Sequence, residues 1–98
     1  EAMACGVPTI GSAAGGIPEL VLSGKTGFLS AIGNTAEMAE NALRLLTDEK
    51  LYAEFREACL TRARTEFCND KITAQYENIY YKVLGIPKEL ELPVCLAP

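Results

Sequence analysis

The chain has 98 residues, 49% hydrophobic and 22% charged, with a net charge of −4; this is an ordinary folded-domain composition with room for one small core. Its nine Lys and Arg form no cluster, which argues against nucleic acid as a partner, because phosphate neutralisation needs grouped cations. No apolar run approaches the roughly 20 residues of a membrane span. No stretch reads as a signal peptide either, which a chain lacking its own N-terminus could not show.

Glu1-Ala2-Met3-Ala4-Cys5 reads as a very short small-residue helix headed by an acid and stopped by Gly6. A Pro-led apolar strand over residues 7–10 follows, and its flanking glycines suggest a buried parallel strand, with Pro8 tolerated only near the beginning. Residues 11–16 form a glycine-rich turn, and Ile17-Pro18-Glu19-Leu20 starts a helix. Residues 23–27 are a tight turn before a short strand at Phe28-Leu29.

The remainder is helical. Asn34 is placed to cap a helix, with Glu37 completing a capping-box pair. Met38, Ala39, Ala42, Leu43, Leu45 and Leu46 are expected on one face of it. Asp48 caps a second helix, in which Leu51, Tyr52, Phe55, Cys59, Ala63 and Phe67 recur. A third begins near Asn69-Asp70, carries Ile72, Tyr76, Ile79, Tyr80 and Val83, and ends at Gly85 with Pro87 beyond. The tail, 85–98, has no clear period and is expected to be irregular.

There is no histidine, so no Ser-His or Cys-His nucleophile is contained in these residues. Cys5, Cys59, Cys68 and Cys95 have no C-x-x-C spacing, and no histidine is present to complete a zinc site. Cys5 and Cys59 fall on helix faces, where a free thiol behaves as a small hydrophobe. Unpaired thiols in a reducing cytoplasm are the preferred reading.

Three places invite ligand chemistry. Gly24-Lys25-Thr26 looks like the end of a phosphate-binding P-loop, but that motif needs glycine where Glu19 stands and a helix where a strand follows. A turn accounts for it better. The loop of Gly11 to Gly16 lies between strand and helix, as a dinucleotide fingerprint would, yet its glycines are spaced G-x-x-x-G-G. Exposed N–H groups at Gly15 and Gly16 could face an anion, or the glycines could serve the turn alone. Glu1 is the third. A carboxylate at a helix start is favourable through the dipole alone, and Glu19 behind Pro18 reads the same way. At the carboxyl edge of an open α/β sheet, however, Glu1 could accept two hydrogen bonds from vicinal sugar hydroxyls.

Glu1-Ala2-Met3-Ala4-Cys5-Gly6-Val7-Pro8, Gly15-Gly16-Ile17-Pro18-Glu19, Gly24-Lys25-Thr26-Gly27-Phe28-Leu29 and Gly33 together resemble the family 4 retaining glycosyltransferases of the GT-B fold. The resemblance covers residues 1 to about 84. It implies an α/β fold, namely the C-terminal part of a Rossmann-like GT-B donor-binding domain, with a glycine-rich strand and turn region followed by three helices. It also implies that Glu1 is the second glutamate of an E-x7-E motif and holds the ribose hydroxyls of a nucleotide-sugar donor. The first glutamate, the diphosphate contacts and the acceptor site would lie before Glu1, in a missing N-terminal half of the same protein. Retaining transfer from a UDP-sugar without a metal or other cofactor follows from the same resemblance, and the piece alone should not turn over. Ile17-Pro18-Glu19-Leu20 and the run from Lys71 to Tyr81 further resemble the branch that joins N-acetylglucosamine to L-malate in bacillithiol biosynthesis. Competing readings are a non-catalytic helical interaction module and a degenerate gene fragment. The interaction module does not explain the ordered glycine and glutamate pattern of residues 1–33, while the degenerate fragment differs from the glycosyltransferase reading only in its history.

Overall fold

Pro8 has no N–H to give to a ladder, and the first strand begins one residue after it. In this computed structural model, which describes residues 1–87, β1 runs Thr9–Ser12 and β2 runs Gly27–Ser30. The expected strand over residues 7–10 is thus shifted two residues toward the C-terminus, so that Gly11 and Ser12 belong to β1 and the turn shrinks to residues 13–16. The two strands pair in parallel, Thr9 with Gly27, Ile10 with Phe28, Gly11 with Leu29 and Ser12 with Ser30. β1 is half-buried along its length, where a fully buried strand was expected, because among the described residues only one of its edges is paired.

Strand alternation sends Ile10, Ser12, Phe28 and Ser30 to one face. On that face the Phe28 ring lies 5.1 Å from the ring of Phe55 and 4.9 Å under the guanidinium of Arg44. These contacts fasten helices α2 (Thr35–Thr47) and α3 (Glu49–Glu66) to the sheet. The ring pair is worth about 0.5–1.5 kcal/mol beyond its buried area. The opposite face meets the single turn of α1 (Ile17–Leu20), since a methyl at Gly11 would touch Ile17 and Leu29 at 3.4 and 3.6 Å.

α2 begins as the sequence asks. Asn34 Oδ1 accepts the Glu37 N–H at 3.2 Å. Glu37 answers by accepting from the Asn34 side-chain amide at 2.8 Å, so the reciprocal bond of the capping box uses the side chain and not the main chain. Asp48 caps α3 through its carboxylate, which accepts the Leu51 N–H at 3.0 Å. The apolar face of α2 is narrower than expected. Asn41 and Leu45 are buried and Met38 and Ala42 half-buried, whereas Leu43 and Leu46 are exposed. The reason is angular: positions 38, 41, 42 and 45 follow one stripe, and 39, 43 and 46 follow another.

The chain divides into two compact units, Glu1–Thr61 and the part from Arg62 onward. In the first, Val21, Leu45, Phe55 and Cys59 form the buried apolar set. In the second, Ala63 and Ala74 are buried, and the Lys71 ammonium holds the Thr65 carbonyl at 3.0 Å and the Glu66 carboxylate at 3.3 Å. Helix α4 (Asn69–Leu84) stops at Gly85, whose φ of +69° lets its own N–H and that of Ile86 return to Lys82 and Tyr81, as a left-handed C-terminal cap requires. The tail expected from residue 85 is described only to Pro87; the rest of it lies outside the described residues.

The thiols divide. Cys59 is fully buried, donates to the Thr26 carbonyl at 3.3 Å, and is pushed above the usual thiol range by burial. Cys5 is free as well, but it is exposed and covers no core face. Cys68 is disulfide-bonded, which corrects the expectation of unpaired thiols; pairing is set by proximity in space, which spacing along the chain does not report.

Two outcomes are expected. Gly27→Ala should cost about 3 kcal/mol or more, because its methyl would run into the Thr9 backbone, which cannot swing aside as a side chain does. Gly24→Ala, with φ of +84° but open space around it, should cost only about 1–2 kcal/mol. Equal midpoints for the two variants in urea denaturation of the full chain would contradict this. Cys59 should resist iodoacetamide in the native state while Cys5 reacts. Because burial raises its folded pKa, the stability Cys59 contributes is complete below the unfolded thiol value and is lost as pH rises through the folded one. Equal labelling rates for both thiols would oppose that placement.

Candidate functional site

The turn that leaves β1 is held at both ends and open in the middle. Ala13 N–H donates to the Ser30 carbonyl at 2.8 Å, which ties the loop to the carboxyl end of β2. Ala14 N–H donates to Ser12, and Ile17 N–H returns to the Ala14 carbonyl at 3.3 Å. Between them, the N–H groups of Gly15 and Gly16 have no acceptor among the described residues, and both glycines are exposed. The loop therefore presents two adjacent free donors at the carboxyl edge of a parallel sheet, where open α/β folds take ligands.

The two glycines have different causes. Gly15 has a φ of +57°, a region that side chains disfavour. Gly16 has an ordinary φ of −83°, and a methyl placed on it would meet nothing within 4 Å. Neither backbone conformation nor packing within the described residues demands glycine there. Close approach by a group from outside these residues would. α1 is one turn long, so its dipole is slight, and any attraction for an anion rests on the N–H groups themselves.

Glu1 is exposed, and its carboxylate has no hydrogen bond or ion pair among the described residues. The helix it was expected to head is a single 3-10 turn, Met3–Cys5, with Ala2 and not Glu1 at the cap position. The Glu1 carbonyl accepts the Cys5 N–H at 3.2 Å, while the side chain lies outside the first turn. Stabilisation through a helix dipole thus gives little reason for glutamate at this position. Glu19 does sit in the first turn of α1, as its sequence context suggested. Among the described residues no hydrogen bond joins Glu1 to Gly15 or Gly16, and the space within 4 Å of either glycine's missing methyl is empty.

The Gly24-Lys25-Thr26 turn is accounted for internally. The Thr26 hydroxyl is buried and accepts the Leu22 N–H at 2.9 Å, and β2 follows where a P-loop needs a helix. The Ser23 hydroxyl likewise accepts the Leu29 N–H at 3.1 Å. Sequence reasoning did not identify the Ala13–Ser30 anchor, because it depends on strand register, nor the buried Ser30 hydroxyl, which has no partner among the described residues. No described helix is long and apolar enough to cross a membrane, and the described residues hold no group of three metal-ligating side chains.

A parallel α/β unit with a glycine loop at its carboxyl edge, followed by three helices, is the class of fold on which nucleotides are commonly bound. Residues 1–62 match the family described as glycosyl transferases group 1, and the chain belongs to that family. It is 48% identical to N-acetyl-alpha-D-glucosaminyl L-malate synthase of Bacillus anthracis over 84 residues, 86% of this chain and 22% of that protein. It is 33% identical to D-inositol 3-phosphate glycosyltransferase of Corynebacterium aurimucosum over 97 residues, covering 99% of this chain and 22% of the relative. Against alpha-maltose-1-phosphate synthase of Mycobacterium tuberculosis the identity is 37% over 89 residues, 85% of the chain and 23% of the relative. The chain thus spans about a fifth of the length of these curated relatives.

The two glycines should separate in a stability measurement. Gly16→Ala is expected to leave the thermal midpoint unchanged or raise stability by about 0.4–1 kcal/mol, since its backbone already suits alanine. Gly15→Ala should lose about 1–2 kcal/mol. A large loss at Gly16 would show a packing role and remove the reason to read it as ligand-facing.

Proposed function

We propose that this chain is the C-terminal part of the donor-binding domain of a retaining glycosyltransferase that transfers sugar from a UDP-sugar. Membership of the glycosyl transferases group 1 family carries this reading. Glu1 holds the ribose hydroxyls of the donor, and its exposed, unengaged carboxylate and its place outside any helix first turn support that role. Gly15 and Gly16 turn two unpaired N–H groups toward the donor's anionic part, with Gly16 kept free of a side chain that would stand between.

For the finer assignment we infer N-acetylglucosamine as the sugar and L-malate as the acceptor. The 48% identity to the malate synthase supports it, as do Ile17-Pro18-Glu19-Leu20 and the run from Lys71 to Tyr81. The reaction needs no metal in this proposal. Charge on the departing diphosphate would be met by N–H dipoles and by cationic groups outside these residues. A cytoplasmic setting is part of the same reading; the free thiols of Cys5 and Cys59 support it and the disulfide at Cys68 does not.

The acceptor site and the remaining donor contacts belong, in this proposal, to another half of the same protein. The face of α4 bearing Ile72, Tyr76, Ile79 and Tyr80, of which Ile72 is half-buried and the other three exposed, is the surface we assign to that half. These 98 residues alone should not catalyse transfer.

Two measurements check the proposal. In the protein as encoded, Glu1→Gln should weaken UDP-sugar binding on the order of 10- to 100-fold, the worth of a charge-assisted hydrogen bond left imperfect, while the unfolding midpoint stays put. Unchanged donor affinity and turnover would rule out Glu1 as a ribose ligand. The isolated 98 residues should unfold in a broad, weakly cooperative transition, because the exposed α4 face is left without its partner half. A sharp, high-temperature transition in a monomer would argue that no further half is needed.

A further inference from the structure

We draw no further inference here: the strongest candidate, the exposed Leu43 and Leu46 stripe on α2, is an unpartnered apolar face with nothing in the structure to show what covers it.

Discussion

Thr26 is the point on which the first unit depends. Its hydroxyl accepts the Leu22 N–H and its own N–H donates to the Leu22 carbonyl, each at 2.9 Å, which closes the turn. Its carbonyl then takes two donors from distant chain, Thr9 N–H at 3.2 Å and the Cys59 thiol at 3.3 Å. One residue, 1% exposed, joins the turn, the start of β1 and the middle of α3. Buried polar groups are costly unless paired, and here the hydroxyl, N–H and carbonyl are all paired, through four hydrogen bonds. The close approach at Gly27 follows from this arrangement: Thr9 is drawn against the backbone just beyond Thr26, where no side chain fits. The register that results brings Ser12 level with Ser30, and that pairing lets Ala13 anchor the glycine loop. The geometry of the candidate site is therefore set at the far end of the strands.

The proposed function draws on what this frame leaves unsatisfied. Folded chains pair nearly all their backbone donors or give them to water, and two adjacent exposed N–H groups with no acceptor among the described residues are open to a ligand. Gly16 is informative for the same reason. Gly15 and Gly27 are glycines because the fold requires them, one by φ and the other by contact. Among the described residues Gly16 has neither requirement, and Glu1 has no partner to explain its charge. In the proposed reading a nucleotide-sugar donor is the missing neighbour of both residues, and membership of the glycosyl transferases group 1 family supports that proposal.

Much of the helical half was legible in the sequence, because its signals are local. The Asn34 and Glu37 cap, the Asp48 cap and the Gly85 stop each involve residues within five positions of one another. The strands were harder. Pro8 fixed where β1 could begin only when weighed as a lost donor, and the apolar run at residues 7–10 pointed two residues early. The six apolar residues of α2 read as one face but split into two stripes, which only the position of the sheet decides. Register, the Thr26 hub and the Ala13 anchor are pairings between distant segments, and no spacing rule reports them. At the site, the residue types were readable while their states were not: nothing in the sequence says that Gly16 has room for a methyl or that Glu1 stands outside the first turn.

Hydrogen–deuterium exchange of the protein as encoded, with and without UDP, tests the central claim most directly. The loop amides of Gly15 and Gly16 and the segment around Glu1 should gain protection together when UDP binds, with little change across α2 and α3. Binding of UDP that leaves residues 1–6 and 13–17 exchanging as fast as before would contradict the assignment of this edge as the donor site.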